Sequence, residues 1–226
     1  MTAPSEVLPA AHGGEVTKDG HPYGSKPIEN TALLGMLLFI ASEIMFFAGL
    51  FAAYFNLRAN ITPWPPEEFA DILQPIGIHN GIPFTTETGA LNLILPATII
   101  LIISSFTCQF GVWGIRQNDR KALVRNIGVT MVLGITFLLM QVYDYSVLLS
   151  EGLTLASGPF GTTYYTLTGF HFAHVFGGVI MLATVLYRGM AGQFSARHHD
   201  MVEATSLYWH FVDVVWILLF SILYIL

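Results

Sequence analysis

The chain has 226 residues, of which 54% are hydrophobic and 11% are charged, whereas a typical soluble domain carries about 25% charged residues. This deficit excludes a water-exposed surface over most of the molecule and predicts a polytopic membrane protein. The formal net charge is −6 and no basic stripe is present, which excludes a nucleic-acid-binding protein. The single cysteine, Cys108, excludes a disulfide framework and a two-cysteine metal centre within this chain.

Five apolar segments follow a polar N-terminal tail, and each is close to the length that a helix needs to cross a bilayer. The tail, residues 1–27, is rich in Pro, Gly and small polar residues, which predicts a disordered or extended segment. Residues 28–226 are predicted to form one all-α domain, a bundle of five transmembrane helices. The predicted spans are residues 31–57, 90–114, 126–149, 162–187 and 205–226.

Prolines mark two places in this domain. The connection from Arg58 to about Thr88 is proline-rich and too long for a simple link, so we expect an ordered, extended surface segment. Pro96 lies within the second predicted span, where a proline predicts a kink or local unwinding.

Basic residues predict the orientation of the bundle. Eight of the nine Lys and Arg residues lie in the tail or in the connections after spans two and four, and only Arg58 lies on the other side. The positive-inside rule therefore predicts a cytoplasmic N-terminus and a C-terminus outside.

Glu43 is the one ionisable residue of the first span and lies near its middle. A carboxylate near the bilayer midplane is costly unless it is protonated, paired or hydrated, so Glu43 is a candidate functional residue. The alternative is a core carboxyl that only orients helices. In span four, His174 lies at about the same depth and His171 one turn further out, and their spacing predicts one shared helix face. We expect one of the two histidines to pair with Glu43.

A second polar group lies in the half of the bundle predicted to face the cytoplasm. His210 and Asp213 stand three residues apart in span five, and Glu203 lies seven residues before His210, at the membrane boundary. Gln109 of span two reaches a similar depth. The aromatic residues of this stretch fit an interfacial belt or a subunit seam: Tyr208, Trp209 and Trp216.

The histidines limit what the chain can bind. Only His171, His174 and His210 lie inside the predicted spans, too few for a centre with two haems and copper. A haem held by span four and span five remains an alternative, although its two histidines would lie at different depths. We therefore expect no haem or copper in this chain.

Cations near the predicted cytoplasmic surface are candidate lipid ligands. Arg188 and Arg197 lie in or beside the connection after span four, with His198 and Glu203 nearby. A basic residue close to the membrane surface attracts anionic headgroups with about 1 kcal/mol. We expect bound phospholipid headgroups at this rim.

Four sequence blocks in collinear order resemble subunit III of the haem–copper cytochrome c oxidases: FIASEIMFFAGLFAAYF, SSFTCQFGV, YYTLTGFHFAHVFGG and SLYWHFVDVVW. The resemblance covers roughly Thr31 to Leu226, and the long loop containing WPP is most similar to bacterial aa3-type members. By resemblance, the family's membrane glutamate, paired histidines, boundary glutamate and final His and Asp correspond to Glu43, His171, His174, Glu203, His210 and Asp213.

The resemblance implies a non-catalytic subunit of a proton-pumping respiratory oxidase in a bacterial plasma membrane. Such a subunit has no redox centre, because haem and copper lie in the partner subunits I and II. It binds subunit I on the side where protons enter, holds structural phospholipid in a cleft, and supports proton uptake and durability during turnover. Participation in a larger respiratory supercomplex is left open.

One departure concerns the cleft. Seven-helix members have two further N-terminal helices that form one wall of it, and here a polar tail stands in their place. The chain therefore resembles the five-helix members, with a bare groove or one walled by a neighbouring subunit. Two alternatives remain open: subunit III of a quinol oxidase, and an autonomous proton or ion transporter that uses Glu43. Few intramembrane charges are available for such a relay.

Overall fold

The computed structural model describes residues 31–64, 66–67, 77–79, 82–85 and 93–225. The predicted tail and the predicted start of the second span lie outside these residues. Within them, five helices are long and apolar enough to cross a membrane, and this confirms the predicted helical membrane fold. They are α1 (Thr31–Asn60), α2 (Ile94–Arg116), α3 (Arg120–Ser150), α4 (Gly158–Met190) and α5 (Asp200–Phe220), which continues as a π-helical turn, Ser221–Ile225.

Several helices extend beyond the predicted spans. α3 begins at Arg120 and not at residue 126, and α4 runs four residues further toward the N-terminus and three toward the C-terminus than the span predicted at 162–187. The apolar run marks only the part of a helix suited to hydrocarbon. The backbone hydrogen bonds of a helix continue through polar residues at the membrane surface.

Pro96 lies in the first turn of α2 and not in the interior of the helix, where the sequence had placed it. α2 begins at Ile94, and Pro96 is its third residue. The first four N–H groups of a helix have no intrahelical partner, so a proline in this turn removes no hydrogen bond. The regular bond from Ala97 N to Leu93 O, 3.0 Å long, follows directly.

The turn between α2 and α3 both ends one helix and begins the next. Asn118 has a positive φ of 62°, and two backbone bonds close a Schellman motif: Asn118 N to Ile115 O at 2.9 Å and Asp119 N to Gly114 O at 2.8 Å. Asp119 then caps α3, because its carboxylate accepts from Ala122 N at 3.0 Å. This turn of three residues, 117–119, thus sets the antiparallel packing of α2 against α3.

α2, α3, α4 and α5 form a four-helix bundle, and α1 packs on its outside against α4 and α5. The buried residues of α1 are Ile40, Phe47 and Tyr54, spaced seven apart. This spacing gives one narrow stripe of contact, as in a coiled-coil seam. The other faces of α1 are apolar and exposed, so they are left for lipid or for a partner chain.

The aromatic residues of α5 do not form a belt at the membrane surface. Tyr208, Trp209 and Trp216 are all buried inside the bundle. Trp209 donates from Nε1 to Ser104 Oγ at 2.9 Å, and Trp216 donates to Thr98 Oγ1 at 2.9 Å. The belt prediction is wrong because each indole N–H finds its partner on α2, not in the headgroup region.

The connection between α1 and α2 contains an antiparallel hairpin that the sequence did not predict, β1 (Gly77–His79) and β2 (Ile82–Thr85). Nearer to α1, Trp64 packs edge-on against Tyr54 at 5.5 Å and Phe160 at 5.1 Å between ring centroids. Its Nε1 also donates to the Tyr54 hydroxyl at 3.2 Å. The start of this connection is therefore attached to the end of the bundle. The prediction of an ordered, extended segment falls largely on residues outside those that the structure describes.

Candidate functional site

Glu43 and His174 meet across the groove between α1 and α4. Glu43 Oε2 lies 2.9 Å from His174 Nε2, and the two side chains are 20% and 14% exposed. Each residue lies near the middle of its helix, which matches the equal depths inferred from the sequence. The predicted pairing of Glu43 with one of two histidines is confirmed for His174.

The hydrogen bond of the second ring nitrogen of His174 determines how many protons the pair carries. His174 Nδ1 lies 2.7 Å from the carbonyl oxygen of Phe170. A carbonyl only accepts, so Nδ1 carries a proton. The contact at Nε2 then needs one further proton, because two facing lone pairs would repel. Either Glu43 is the acid and donates to the neutral ring, or a carboxylate accepts from an imidazolium. In both cases the pair is neutral overall.

Aromatic side chains surround the pair. Phe47 and Phe46 lie 5.1 Å and 6.5 Å from the His174 ring, measured between centroids. The Tyr208 hydroxyl donates to the backbone oxygen of His174 at 3.1 Å. Apolar surroundings strengthen the hydrogen bond and make separate charges expensive. The pair is therefore a neutral polar connection in an otherwise apolar groove.

His171 does not share the groove of His174. It is 1% exposed, stacked on Trp216 at 4.9 Å between centroids and touched edge-on by Phe137. Residues three apart on a helix are about 60° apart in direction, which here separates the α1 side of α4 from the bundle interior. The expectation of one shared face is therefore wrong. Among the described residues neither ring nitrogen of His171 has a hydrogen-bond partner.

The second polar group connects α2 to α5. His210 Nε2 donates to Gln109 Oε1 at 3.2 Å, and Ser105 Oγ donates to Asp213 Oδ2 at 2.7 Å. The two contacts lie one helical turn apart on each helix, as the spacings in the sequence indicated. His210 and Asp213 thus each have a hydrogen-bond partner on α2.

Most basic residues of the chain cluster at one end of the bundle, here called the basic end: Arg116, Arg120, Lys121, Arg125, Arg188 and Arg197. Glu203 forms the centre of an ion-pair network there. Its Oε1 lies 2.8 Å from Arg116 Nη2 and 3.0 Å from His199 Nε2. Sequence reasoning missed both partners, although His199 stands four residues before Glu203, the spacing of neighbours on a helix.

The two arginines predicted as headgroup ligands differ in their contacts. Arg188 donates from Nε to Gln193 Oε1 at 2.8 Å, and its Nη1 lies 3.0 Å from Met201 Sδ. Its guanidinium also lies over the Phe194 ring, 5.1 Å from the centroid. Arg188 thus holds the connection between α4 and α5 in place. Arg197 lies in that connection and is exposed.

A further polar cluster near the other end was not predicted. Asp144 accepts from Gln141 Nε2 at 3.3 Å and from the Tyr164 hydroxyl at 3.5 Å. Tyr164 and Tyr224 share a hydrogen bond of 2.6 Å. The signal available in the sequence was an acidic residue three positions after a glutamine inside an apolar span.

Among the described residues no three His, Cys, Asp or Glu side chains come close enough to hold a metal. A haem between α4 and α5 would need His174 and His210. His174 has both nitrogens engaged, and His210 bonds to Gln109 on α2.

The family model described as Cytochrome c oxidase subunit III matches residues 14–226. A probable cytochrome c oxidase subunit 3 of Mycobacterium leprae is 37% identical over 196 residues, covering 86% of this chain and 88% of the relative. The subunit 3 of Corynebacterium diphtheriae is 39% identical with 86% and 88% coverage, and that of Synechocystis is 40% identical with 92% and 81%.

The fold and the site define a polytopic helical membrane protein with a polar pair near the middle of two of its helices. With the matches above, the chain belongs to the cytochrome c oxidase subunit III family. It is thus a subunit of an oxidoreductase complex of the respiratory chain, and it works together with other oxidase subunits.

Proposed function

We propose that this chain is a subunit III without redox centres, bound to subunits I and II of a proton-pumping cytochrome c oxidase in a bacterial plasma membrane. It stabilises subunit I, binds structural phospholipid and supports proton uptake. Electrons pass from cytochrome c to oxygen through haem and copper in the partner subunits. A two-cysteine copper site in the accompanying subunit II would separate this assignment from a quinol oxidase.

The Glu43–His174 pair is the observation that carries the proposal. The pair can shift a proton between Oε2 and Nε2, but among the described residues no further carboxylate or imidazole bonds to it. A relay through this chain would need such a next group. The geometry therefore favours a role in joining α1 to α4 and in shaping the groove.

Lipid contacts fit the same arrangement. The apolar residues of α1 that face away from the bundle are exposed, among them Leu38 at 65% and Met45 at 69%. Acyl chains would lie along α1 and α4, with headgroups at Arg197 and His198 on the basic end. Arg188 and Glu203 would hold the rim that these headgroups contact. Support for proton uptake would then come from keeping this rim ordered against subunit I.

Glu43→Gln and Glu43→Ala test this role. The glutamine amide can donate to Nε2 of neutral His174, so Glu43→Gln keeps the hydrogen bond and should leave proton pumping nearly intact. Glu43→Ala removes the bond and should shorten the working life of the oxidase. The proton-to-electron ratio and the activity lost per turnover would be measured for both in vesicles. Loss of pumping in Glu43→Gln with normal assembly would identify Glu43 as a proton carrier instead.

A second expected result concerns the redox centres. When subunits I and II are removed, the remaining chain should show neither haem absorbance nor bound copper. The reason is that His174 and His210 are hydrogen-bonded to other side chains and His171 is stacked on Trp216. Absorbance spectra and metal analysis of the separated chain measure this. Haem retained in equal amount with the chain would contradict the proposal.

A further inference from the structure

A groove at the basic end lies on the α3 side of α4, apart from the Glu43 site. It has a volume of about 730 Å³ and is lined by the α2–α3 turn, the first turns of α3 and the last residue of α4. Three cations, Arg120, Lys121 and Arg125, border it together with one carboxylate, Asp119. The groove therefore carries a net charge of +2 from these four side chains.

The cations of the groove differ in how far they are engaged. Arg120 donates from Nε to Gly189 O at 2.7 Å and from Nη2 to Met190 O. It thereby satisfies carbonyls that the end of α4 leaves without an intrahelical partner. Lys121 and Arg125 are exposed, four residues apart on one face of α3.

Behind these cations the same face of α3 becomes apolar. Val129 and Val132 continue the face from Arg125 and are 44% and 58% exposed. The walls of the groove itself include Val124 and Met190. Cations at a membrane rim, followed by exposed aliphatic side chains toward the membrane interior, match the two parts of a lipid: a phosphate and its acyl chains. An acidic protein segment would match only the first part.

We infer that this groove binds the headgroup of an anionic phospholipid, with Lys121 and Arg125 contacting its phosphate and the α3 face contacting its acyl chains. Basic pockets between transmembrane helices at the cytoplasmic side are a recurrent form of such sites. The site goes beyond the proposed function, because it needs neither α1 nor the Glu43–His174 pair. Its role would be to hold lipid against the α3–α4 flank of the chain.

The test compares three forms of the intact oxidase complex. One has the native chain, one carries Lys121→Gln and Arg125→Gln, and the control carries Lys121→Arg and Arg125→Lys, which keep both charges. Arg120 is left unchanged because it holds the end of α4. Each delipidated complex is titrated with phosphatidylglycerol or phosphatidylcholine, and bound lipid is counted by native mass spectrometry.

The complex with Lys121→Gln and Arg125→Gln should bind phosphatidylglycerol about thirtyfold more weakly, because it lacks two cations that each contribute about 1 kcal/mol. The complex with Lys121→Arg and Arg125→Lys should bind it as tightly as the native complex does. All three complexes should bind phosphatidylcholine with the same affinity. Equal phosphatidylglycerol affinity in all three would overturn the site. Displacement of the lipid by equimolar inorganic phosphate would show a small-anion site instead, and a cross-link from Lys121 to a partner subunit would show that protein covers the groove.

Discussion

Replacing His174 by leucine should loosen α1 from the bundle and weaken retention of this chain in the purified oxidase. The substitution leaves the Glu43 carboxyl in an apolar groove without its 2.9 Å partner. An unsatisfied buried hydrogen-bonding group costs about 1–3 kcal/mol. The measurement is the fraction of the chain that stays with subunit I through increasing detergent and temperature.

The double variant His174→Leu with Glu43→Leu is the decisive comparison. It removes both polar groups, so it should recover most of the lost retention, because two apolar side chains can replace a buried pair at little cost. Phe46→Leu, in the same groove, is the control for altered packing without a polar change. If the double variant is as weakly retained as the sum of both single changes, the two residues do not act as a pair.

Replacing Gly178 by alanine should destabilise the bundle by about 2 kcal/mol. A methyl group added to Gly178 would lie 2.7 Å from Cε3 of Trp209, and one added to Gly134 would lie 2.6 Å from its Cη2. Carbon atoms in contact are normally about 3.5–4.0 Å apart. The indole lies between two glycines and is hydrogen-bonded to Ser104, so it cannot move away from one helix without closing on another.

Thermal unfolding of the detergent-solubilised complex measures this effect. Gly49→Ala is the matched control, because no atom lies within 4 Å of the position that its methyl group would take. That variant should be unchanged or slightly more stable, since alanine favours the helix. Adding Trp209→Phe to Gly178→Ala should give a smaller loss than the two single changes together. Equal melting of Gly178→Ala and Gly49→Ala would show that the bundle adapts at this position.

The number of helices, their order and the depth of Glu43 could be predicted from the sequence. Apolar runs of sufficient length report directly on the membrane, because a bilayer admits few other structures. The pairing of Glu43 followed from the cost of a lone carboxyl at that depth and from the position of His174 along span four. The depth of a residue in the bilayer can be predicted by counting residues along its helix.

The direction of each side chain around its helix could not be predicted in the same way. His171 and His174 lie one turn apart, yet one enters the bundle core and the other faces α1. Trp209 and Trp216 are of the residue type that is typical of an interfacial belt, but each indole N–H donates to a hydroxyl on α2. In a membrane, polar groups seek partners on neighbouring helices, and a sequence without known helix neighbours does not say which ones.

The position of α1 outside the bundle has a consequence for biosynthesis. Glu43 precedes its partner by 131 residues, so at about 5–20 residues per second the ribosome needs roughly 7–26 s to supply His174. α4 and α5, against which α1 packs, are also the last two of the five described helices to be made. During this interval α1 must stay in the lipid on its own, with a carboxyl that has not yet met its histidine. α1 is the most apolar of the five helices, and this excess hydrophobicity keeps it inserted until the rest of the chain arrives.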